Sequence, residues 1–361
     1  MGIPSVRVLF DVLGAPTRSG GMRLYADGVI RGWLERFPED ELVLLGEPWL
    51  EHEFGHLATV TVHRWKSASA PLRILGQWAV SAYFYRADRV DVLISLSPVV
   101  SPLVPRGRRI SSVQDWRHIH HPREFSRAQL LYRRLWKRSA TRANAVIAMS
   151  HKTARETAQF APRARCILVE TGRDYVSYWP EEGGADATLD ALRIVTFGHH
   201  SNKRPELVIR ALALMEPALR SRMHLVVLGA RGAYRDGLEQ LSRAESVAAL
   251  CRFPGFVDEP EYRALFRSAS VIVMMSSDEG FGLPVADAQY LGIPVVVSSD
   301  SGLGDLHDGV LVSLPIPRDL ASALARAVST TAEPALDATT WQHTAEGFRA
   351  VAESALRAAR R

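Results

Sequence analysis

The apolar positions of this chain form two successive series of strands and helices. Short runs rich in β-branched residues have the length and composition of buried parallel strands, whereas longer stretches repeat apolar residues at helical spacing. The first series predicts strands at residues 6–13, 42–45, 59–63, 91–96, 109–113, 145–149 and 166–169, and helices at 22–37, 72–86, 126–142 and 152–160. Strands that alternate with helices over short connections predict a mostly parallel, doubly wound sheet.

The second series begins after a stretch of different composition. Residues 178–186 combine Pro, Gly and acids without apolar periodicity, which is typical of a linker or domain edge. Strands are then predicted at residues 192–197, 225–228, 252–257, 271–275 and 293–298, and helices from about 203 and at 261–268, 285–291, 319–328 and 345–359. We therefore predict two α/β domains, residues 1–180 and 181–340, followed by a C-terminal helix within 341–361.

Length and composition agree with two globular domains. The 361 residues, 47% of them hydrophobic and 23% charged, are enough for each domain to bury its own core. The first residues run straight into a predicted strand, and no apolar run approaches the roughly 20 residues of a membrane helix. Cys166 and Cys251 lack metal or redox spacing. We therefore expect no signal peptide, no disulfide and a reducing, cytoplasmic location.

The most informative stretch is residues 276–287, between a predicted strand and a predicted helix. Loops at the carboxyl ends of strands are where open α/β sheets bind ligands. Gly280 and Gly282 allow backbone N–H groups to approach a ligand, and the helix start adds positive charge suited to phosphate. Two acids beside this loop, Glu279 and Asp287, suit a ligand with hydroxyls and a phosphate, such as a sugar nucleotide. A strand–helix turn without a ligand is the simpler alternative.

The run Glu-Gly-Phe-Gly-Leu-Pro from Glu279 to Pro284, with Asp287 after it, resembles the signature of the family-4 glycosyltransferases of the GT-B fold. In that family a glutamate is followed by seven residues and a second glutamate, whose place Asp287 takes here. The resemblance implies an α/β protein with two facing Rossmann-like, doubly wound domains and an interdomain cleft. It also implies a C-terminal helix that packs back towards the N-terminal domain.

A second glycine loop, which begins at Gly198, follows the predicted strand 192–197. Ser201 or Asn202 can cap a helix that starts near Lys203. A glycine loop, a helix start and a lysine together suit a diphosphate. A surface lysine in a first helical turn, where its charge opposes the helix dipole, is the alternative. The resembling family carries Gly-Arg, a spacer and Lys on the donor pyrophosphate; Lys203 matches, and His199 or Arg204 must replace the arginine.

Two further loops follow strands of the first predicted domain. Gly20 and Gly21 can bring backbone amides against a phosphate or an acceptor, or form a flexible turn. The pair Gln114-Asp115 stands where the resembling family often has His-Asp, near the reacting centre. Glutamine can donate a hydrogen bond but cannot carry a proton at neutral pH, so we expect this position to orient the donor sugar. Nearby histidines could bind a metal or be solvated; these are His118, His120 and His121.

Basic residues are concentrated in the first half of the chain. Residues 106–142 hold eleven Lys or Arg against two acids, Asp115 and Glu124. A solvated helix face is one interpretation, and attraction to anionic lipid headgroups or a pyrophosphate-bearing acceptor is another. Nucleic acid is not expected, because aromatic residues are not interleaved as a stacking platform. A peripheral position on the cytoplasmic face of a membrane is therefore an alternative to a free cytoplasmic protein.

The resemblance divides the candidate residues into two sets. The catalytic set is Lys203, Glu279 and Asp115. The donor-binding set is Gly20, Gly21, Gly198, His199, Arg204, Phe256, Val257, Gly280, Phe281, Gly282, Leu283 and Asp287; in the family, the loop with Phe256 lies by the nucleobase.

The implied reaction is transfer of a hexose-type sugar from a nucleotide diphosphate sugar, with retention, without cofactor or essential metal. UDP, GDP and dTDP donors all remain open, as do a glycan, lipid-linked or small-molecule acceptor and the oligomeric state. A nucleotide-sugar epimerase is one alternative. A catalytically silent GT-B subunit that supports a partner transferase is another, prompted by Gln114, Asp287 and the altered Gly-Arg position.

Overall fold

The structure is a computed structural model that describes residues 5–17, 19–66, 69–180, 191–336 and 338–359. The chain forms two compact units: unit 1 contains Met1–Gly172 and Thr339–Arg361, and unit 2 contains Arg173–Ala338. The predicted linker at 178–186 falls mainly outside the described residues, which stop at 180 and resume at 191.

Each unit is built on one parallel sheet. Among the described residues, the strands are β1 Arg7–Asp11, β2 Glu41–Gly46, β3 Val60–Arg64, β4 Val92–Ser95, β5 Arg109–Val113, β6 Ala145–Ala148, β7 Cys166–Leu168, β8 Leu192–Phe197, β9 Met223–Leu228, β10 Cys251–Gly255, β11 Val271–Met274, β12 Val295–Ser298 and β13 Leu311–Ser313. Their order is β3-β2-β1-β4-β5-β6-β7 in unit 1 and β10-β9-β8-β11-β12-β13 in unit 2.

Helices connect these strands. In the described part of the chain they are α1 Gly21–Arg36, α2 Trp49–Phe54, α3 Ala70–Leu75, α4 Ser81–Ala87, α5 Arg117–His120, α6 Arg127–Arg142, α7 His151–Phe160, α8 Pro205–Ala213, α9 Pro217–Arg220, α10 Gly232–Ala244, α11 Glu259–Arg267, α12 Leu283–Tyr290, α13 Pro317–Ala327 and α14 Trp341–Ala359. A π-helical segment, Gly76–Val80, joins α3 to α4.

The strand order places particular loops side by side. In unit 2, β8 is paired with both β9 and β11. Successive strands are therefore added on one side of β8 up to β10 and on its other side from β11 onward. Because all these strands are parallel, the loops that follow β8 and β11 leave from the same edge of the sheet. Unit 1 has its corresponding point between β1 and β4.

The predicted doubly wound sheets are confirmed, and every predicted strand is present with small shifts of its ends. Two helix predictions were wrong in detail. The single helix predicted at 72–86 is divided by the π-helical segment, and the helix predicted from Lys203 begins at Pro205. Strand β13, helix α10 and the short helices α2, α5 and α9 were not predicted. The three residues of β13 are too few for a periodicity, and α10 carries two glycines, Gly232 and Gly237.

Helix α14 packs against α1 within unit 1. A Cβ atom added at Gly28 would lie 2.4 Å from the Trp341 ring, and one added at Gly32 would lie 2.2 Å from the Trp341 carbonyl oxygen. Only glycine at both positions allows so close an approach. Farther along α14, Arg349 Nε donates to the fully buried Asp40 Oδ2 over 2.8 Å. The helix is therefore part of the core of unit 1.

Candidate active site

Two loops of unit 2 lie together at the carboxyl edge of its sheet. The lysine loop (residues 198–204) follows β8, and the glutamate loop (residues 275–282) follows β11. The Ser277 N–H donates to the Asn202 carbonyl oxygen over 3.0 Å. This bond holds the middle of one loop against the beginning of the other.

Lys203 and Glu279 form an ion pair between these loops. The Lys203 Nζ donates to Glu279 Oε1, and the two side chains are 12% and 16% exposed. Two residues predicted as catalytic from separate parts of the sequence are thus in direct contact. Because the pair is only partly covered, each charge remains within reach of a bound molecule.

The local geometry around Lys203 differs from the prediction. Lys203 ends a 3₁₀ turn, Ser201–Lys203, and the residue before α8 is Arg204, without a side-chain cap. The predicted cap by Ser201 or Asn202 was therefore wrong. The Asn202 side chain is buried, and its Oδ1 has no hydrogen-bond partner among the described residues.

Gly282 shapes the end of the glutamate loop. Its φ of 86° lies in the left-handed region, and a Cβ atom there would lie 2.4 Å from Leu303 Cδ2. The Glu279 N–H donates to the Ser301 carbonyl oxygen over 3.0 Å. The loop after β12 therefore supports the glutamate loop along its length, and glycine is required where the two come closest.

His307 fixes another point of the glutamate loop. Its Nε2 donates to the Phe281 carbonyl oxygen over 2.6 Å, while its Nδ1 accepts from the Arg173 guanidinium over 2.9 Å. Burial lowers the pKa of His307 to about 4, which keeps the ring neutral and able to accept from Arg173. Sequence reasoning missed His307, since a single histidine between glycine turns gives no local signal.

Asp287 lies inside α12, one turn after its start, and is fully buried. Both carboxyl oxygens lack a hydrogen-bond partner among the described residues, and burial raises the pKa of Asp287 to about 8. The buried hydroxyls of Ser276 and Ser277 also lack partners there. Buried polar atoms without partners are uncommon in folded proteins, and their concentration beside the lysine and glutamate loops is typical of a ligand site. That Asp287 accepts from ribose hydroxyls stays a prediction.

Arg204 lies against the protein itself. Its Nε donates to the Met275 carbonyl oxygen over 2.5 Å, and its two terminal nitrogens form a fork with Asp300, at 2.9 and 2.5 Å. Partial burial alone would raise the pKa of Asp300, but hydrogen bonds to Arg204 and Ser298 outweigh it and leave the pKa below its ordinary value. The structure thus places Arg204 beneath the loops, and its predicted contact with the donor stays a prediction.

Gly198 and His199 lie where the loops after β8 and β9 approach each other. A Cβ atom on Gly198 would lie 2.9 Å from Val227 Cγ1, and one on Gly229 would lie 2.9 Å from the Cβ of His199. The His199 and His200 rings are in edge contact, with centroids 4.9 Å apart. Gly198 therefore has a packing role, while the His199 side chain is exposed and its predicted contact with the donor stays a prediction.

Phe256 and Val257 follow the edge strand β10 and line a cavity of about 610 Å³. The Phe256 side chain is 49% exposed, and the Arg231 guanidinium lies 3.6 Å from its ring centroid. Arg231, which sequence reasoning missed, thus forms a cation–π contact that steadies the ring.

The remaining predicted residues lie in unit 1. Gly20 has φ 55° and directly precedes α1, and both Gly20 and Gly21 have open space where a Cβ would stand. Asp115 Oδ1 accepts from the Arg117 N–H over 3.0 Å and lies 3.8 Å from Arg133 Nη1. Their predicted contacts with a donor stay predictions.

The histidines after β5 have separate surroundings. His118 packs between the Trp116 and Trp136 rings, and burial lowers its pKa to about 4. His120 Nε2 lies 3.1 Å from Glu156 Oε1. In the described ranges, no group of three or more His, Cys, Asp or Glu side chains is arranged to hold a metal ion.

Sequence reasoning also missed Asp11, the last residue of β1. It is fully buried at the point where the strand order of unit 1 reverses, and one of its oxygens has no partner in the described part of the chain. Burial raises its pKa to about 7. An acid directly after the apolar run Val-Leu-Phe was the available signal.

Helix α6 carries a row of basic residues on its exposed side. Five exposed residues at spacings of three and four form one stripe, which we name the basic face: Arg127, Leu131, Arg134, Arg138 and Arg142. Within the described residues, no acidic partner of these arginines is found within ion-pair distance. None of the described helices is long and apolar enough to cross a membrane.

Part of the chain is similar in sequence to known proteins. Residues 192–335 match the family described as glycosyl transferases group 1. A D-inositol 3-phosphate glycosyltransferase of Thermomonospora curvata is 31% identical over 209 residues, which cover 51% of this chain and 48% of that protein. The chain thus spans about half the length of this curated relative.

Solved structures show the same fold. Sucrose-phosphate synthase from Thermosynechococcus elongatus has a TM-score of 0.67 at 18% identity, over 99% of this chain and 98% of that one. Anabaena HepE, solved in complex with UDP-glucose, has a TM-score of 0.65 at 17% identity, over 97% and 95%. The predicted fold class, an α/β GT-B protein with two Rossmann-like sheets, is confirmed.

Proposed function

We propose that the protein is a retaining glycosyltransferase of family 4 that transfers a hexose from a nucleotide diphosphate sugar. The observation that carries this proposal is the Lys203–Glu279 pair, held between two loops at the carboxyl edge of a doubly wound sheet. The family match of residues 192–335 and the UDP-glucose complex of a protein with the same fold support it.

Each side chain of the site has a role in this proposal. Lys203 and the positive ends of the helix dipoles of α8 and α12 bind the diphosphate and stabilise the charge that develops as it leaves. Glu279 accepts hydrogen bonds from sugar hydroxyls, with the backbone amides of Gly280 and Gly282 beside it. The positive charge for the leaving diphosphate comes from these groups, so no metal ion is essential.

The resemblance to the family-4 glycosyltransferases implies the course of the proposed reaction. The acceptor oxygen forms a bond to the anomeric carbon on the face from which the diphosphate leaves, and the bond from that carbon to the diphosphate oxygen breaks. A phosphate oxygen of the donor takes the acceptor proton. Gln114 orients the sugar without carrying that proton, since glutamine has no titratable group.

A donor panel tests the proposal. The protein is incubated in EDTA with UDP-glucose, GDP-mannose and a dTDP-hexose, together with D-inositol 3-phosphate or a lipid-linked glycan, and nucleotide release is measured. Thermal shifts with UDP, GDP, ADP and dTDP run beside it, because binding at 100 times Kd adds about 2.7 kcal/mol to stability. Release of one nucleotide with one acceptor supports the function. Nucleotide binding without turnover would favour the silent subunit instead.

The basic face supports a second proposal, that the protein binds peripherally to an anionic membrane. Four arginines with no acidic partner among the residues that the structure describes, and one exposed leucine, fit such a surface. We expect co-sedimentation with vesicles of phosphatidylglycerol and not with phosphatidylcholine. Arg134→Glu/Arg138→Glu should abolish it, whereas Arg326→Glu on α13 should not. If both variants bind the anionic vesicles equally well, the basic face is not the membrane-binding surface.

A further inference from the structure

Arg204 has a backbone conformation that is rare for a residue with a side chain. Its φ of 48° and ψ of 46° lie in the left-handed region, directly between Lys203 and the first residue of α8, Pro205. Arginine at such a position is strained, and strained residues persist where their surroundings hold them in place. The contacts of the side chain show what holds this one.

The guanidinium of Arg204 connects the ends of two strands. Beyond β11, its Nε donates to the Met275 carbonyl oxygen over 2.5 Å and its Nη2 to the Ser276 carbonyl oxygen over 3.0 Å. At the last residue of β12, Nη2 donates to Ser298 Oγ over 2.9 Å. Two residues later, Nη1 and Nη2 donate to the two carboxylate oxygens of Asp300. Four of the five N–H groups of the guanidinium can be used in this way, which leaves one for any other partner.

These bonds fix the residue beside Lys203. The backbone between Lys203 and Arg204 can move little while the Arg204 side chain is bonded to both strands. The glutamate loop begins at Met275, so the same bonds also fix the start of the loop that carries Glu279. The positions of Lys203 and Glu279 therefore both depend on the hydrogen bonds of the Arg204 side chain.

We propose that Arg204 is a positioning residue that, together with Asp300, holds Lys203 in register with Glu279. This role rests on the proposed function, because it acts through the diphosphate-binding lysine. It replaces the simpler assignment of Arg204 as a ligand of the donor.

Kinetics distinguish the two assignments. Arg204→Gly relieves the backbone strain and removes the side chain, Arg204→Ala removes the side chain alone, and Arg357→Ala removes a surface arginine paired with Glu353 on α14 as a control. For a positioning residue, we expect both Arg204 variants to lower kcat by more than about tenfold, since small misplacements are costly in catalysis. A rise in donor KM with kcat unchanged would overturn the proposal.

Asp300 supplies a second kinetic test. If Arg204 and Asp300 act as one anchor, Asp300→Asn should lower kcat as Arg204→Gly does, and the double variant should be no worse than the poorer single variant. If Arg204 binds the donor, freeing it from Asp300 should leave kcat unchanged. Fully additive losses would also contradict a shared anchor.

A chemical measurement tests the anchor without any activity. The chain has four lysines: Lys66, Lys137, Lys152 and Lys203. After brief treatment with an acetylating reagent, mass spectrometry gives the labelling rate of each. Arg204→Gly and Asp300→Asn should raise the rate of Lys203 several-fold and leave that of the exposed Lys137 unchanged.

Unchanged labelling of Lys203 in folded variants would overturn the proposal. Wild-type protein that turns over no donor, with Lys203 labelling still raised in the variants, would instead reject the proposed function and keep the anchor. Melting temperatures of each variant show that the labelled protein is folded.

Discussion

Lys203 and Glu279, 76 positions apart in the sequence, are joined by an ion pair at the edge of one sheet. Both side chains are mostly buried, but neither is completely covered. A bound diphosphate would compete for the lysine, and sugar hydroxyls would take the carboxylate. The pair thus holds both groups in place and can be opened by the molecule that we propose as substrate.

Removing either partner should damage the reaction. We expect Lys203→Ala and Glu279→Ala each to lower turnover by more than about tenfold, because the transition-state charge loses a stabilising group. Lys137→Ala, an exposed lysine of unit 1, is the control. Initial rates of nucleotide release measure the effect, and near wild-type rates for either variant would refute the site assignment.

Gly282→Ala should destabilise unit 2 and weaken nucleotide binding. An alanine there is strained at φ 86° and meets Leu303 at 2.4 Å, so we expect a loss of about 1–3 kcal/mol. The matched control is Gly237→Ala inside α10, where an added Cβ has open space and should stabilise slightly. Urea denaturation of both variants gives the comparison. If the two changes are equally tolerated, the left-handed turn is not needed.

Asp287 predicts a dependence of stability on pH. Its pKa is raised from 3.8 to about 8 in the folded protein, so the folded state retains a proton that the unfolded state releases. Its stabilising contribution is complete below about pH 4 and is lost as the pH rises towards 8, by up to roughly 1.4 kcal/mol per pH unit.

Asp287→Asn should remove that contribution. Between pH 5 and pH 8, we expect the unfolding free energy of the variant to rise relative to wild type. Asp236→Asn, an exposed aspartate on α10, should show no such trend. Denaturant titrations at both pH values measure the difference, and parallel curves would show that Asp287 ionises normally.

The contact between α1 and α14 should be intolerant of any side chain. Gly32→Ala brings a methyl group to 2.2 Å from the Trp341 carbonyl oxygen, and we expect a loss of about 1–3 kcal/mol in unit 1. Ala and Gly differ little in volume, so the effect reports the closeness of the helices. A melting temperature equal to that of wild type would show that α14 can shift away.

Much of the fold could be predicted because each buried strand is a short apolar run between turn residues. The sequence could also indicate Lys203 and Glu279, since each stands beside glycines after such a strand. It could not indicate that they touch, because the adjacency of β8 and β11 depends on strand order.

Other features depend on contacts between distant segments. The left-handed Arg204 is held by Asp300, and the Phe281 carbonyl by His307. The burial of Asp287 depends on packing around α12, which a local pattern does not show. A local sequence can therefore indicate which chemical group is present. The protonation state and the hydrogen-bond partners of that group depend on the folded unit.

Helix α14 has a consequence for how the chain is made. Unit 2 is one continuous segment, whereas unit 1 needs α14, which is translated after unit 2 is complete. During synthesis, the face of α1 that contains Gly28 and Gly32 therefore stays uncovered until Trp341 and the rest of α14 have left the ribosome. We expect premature termination before α14 to leave an exposed apolar surface on the older half of the chain, and so to favour aggregation or degradation of the unfinished protein.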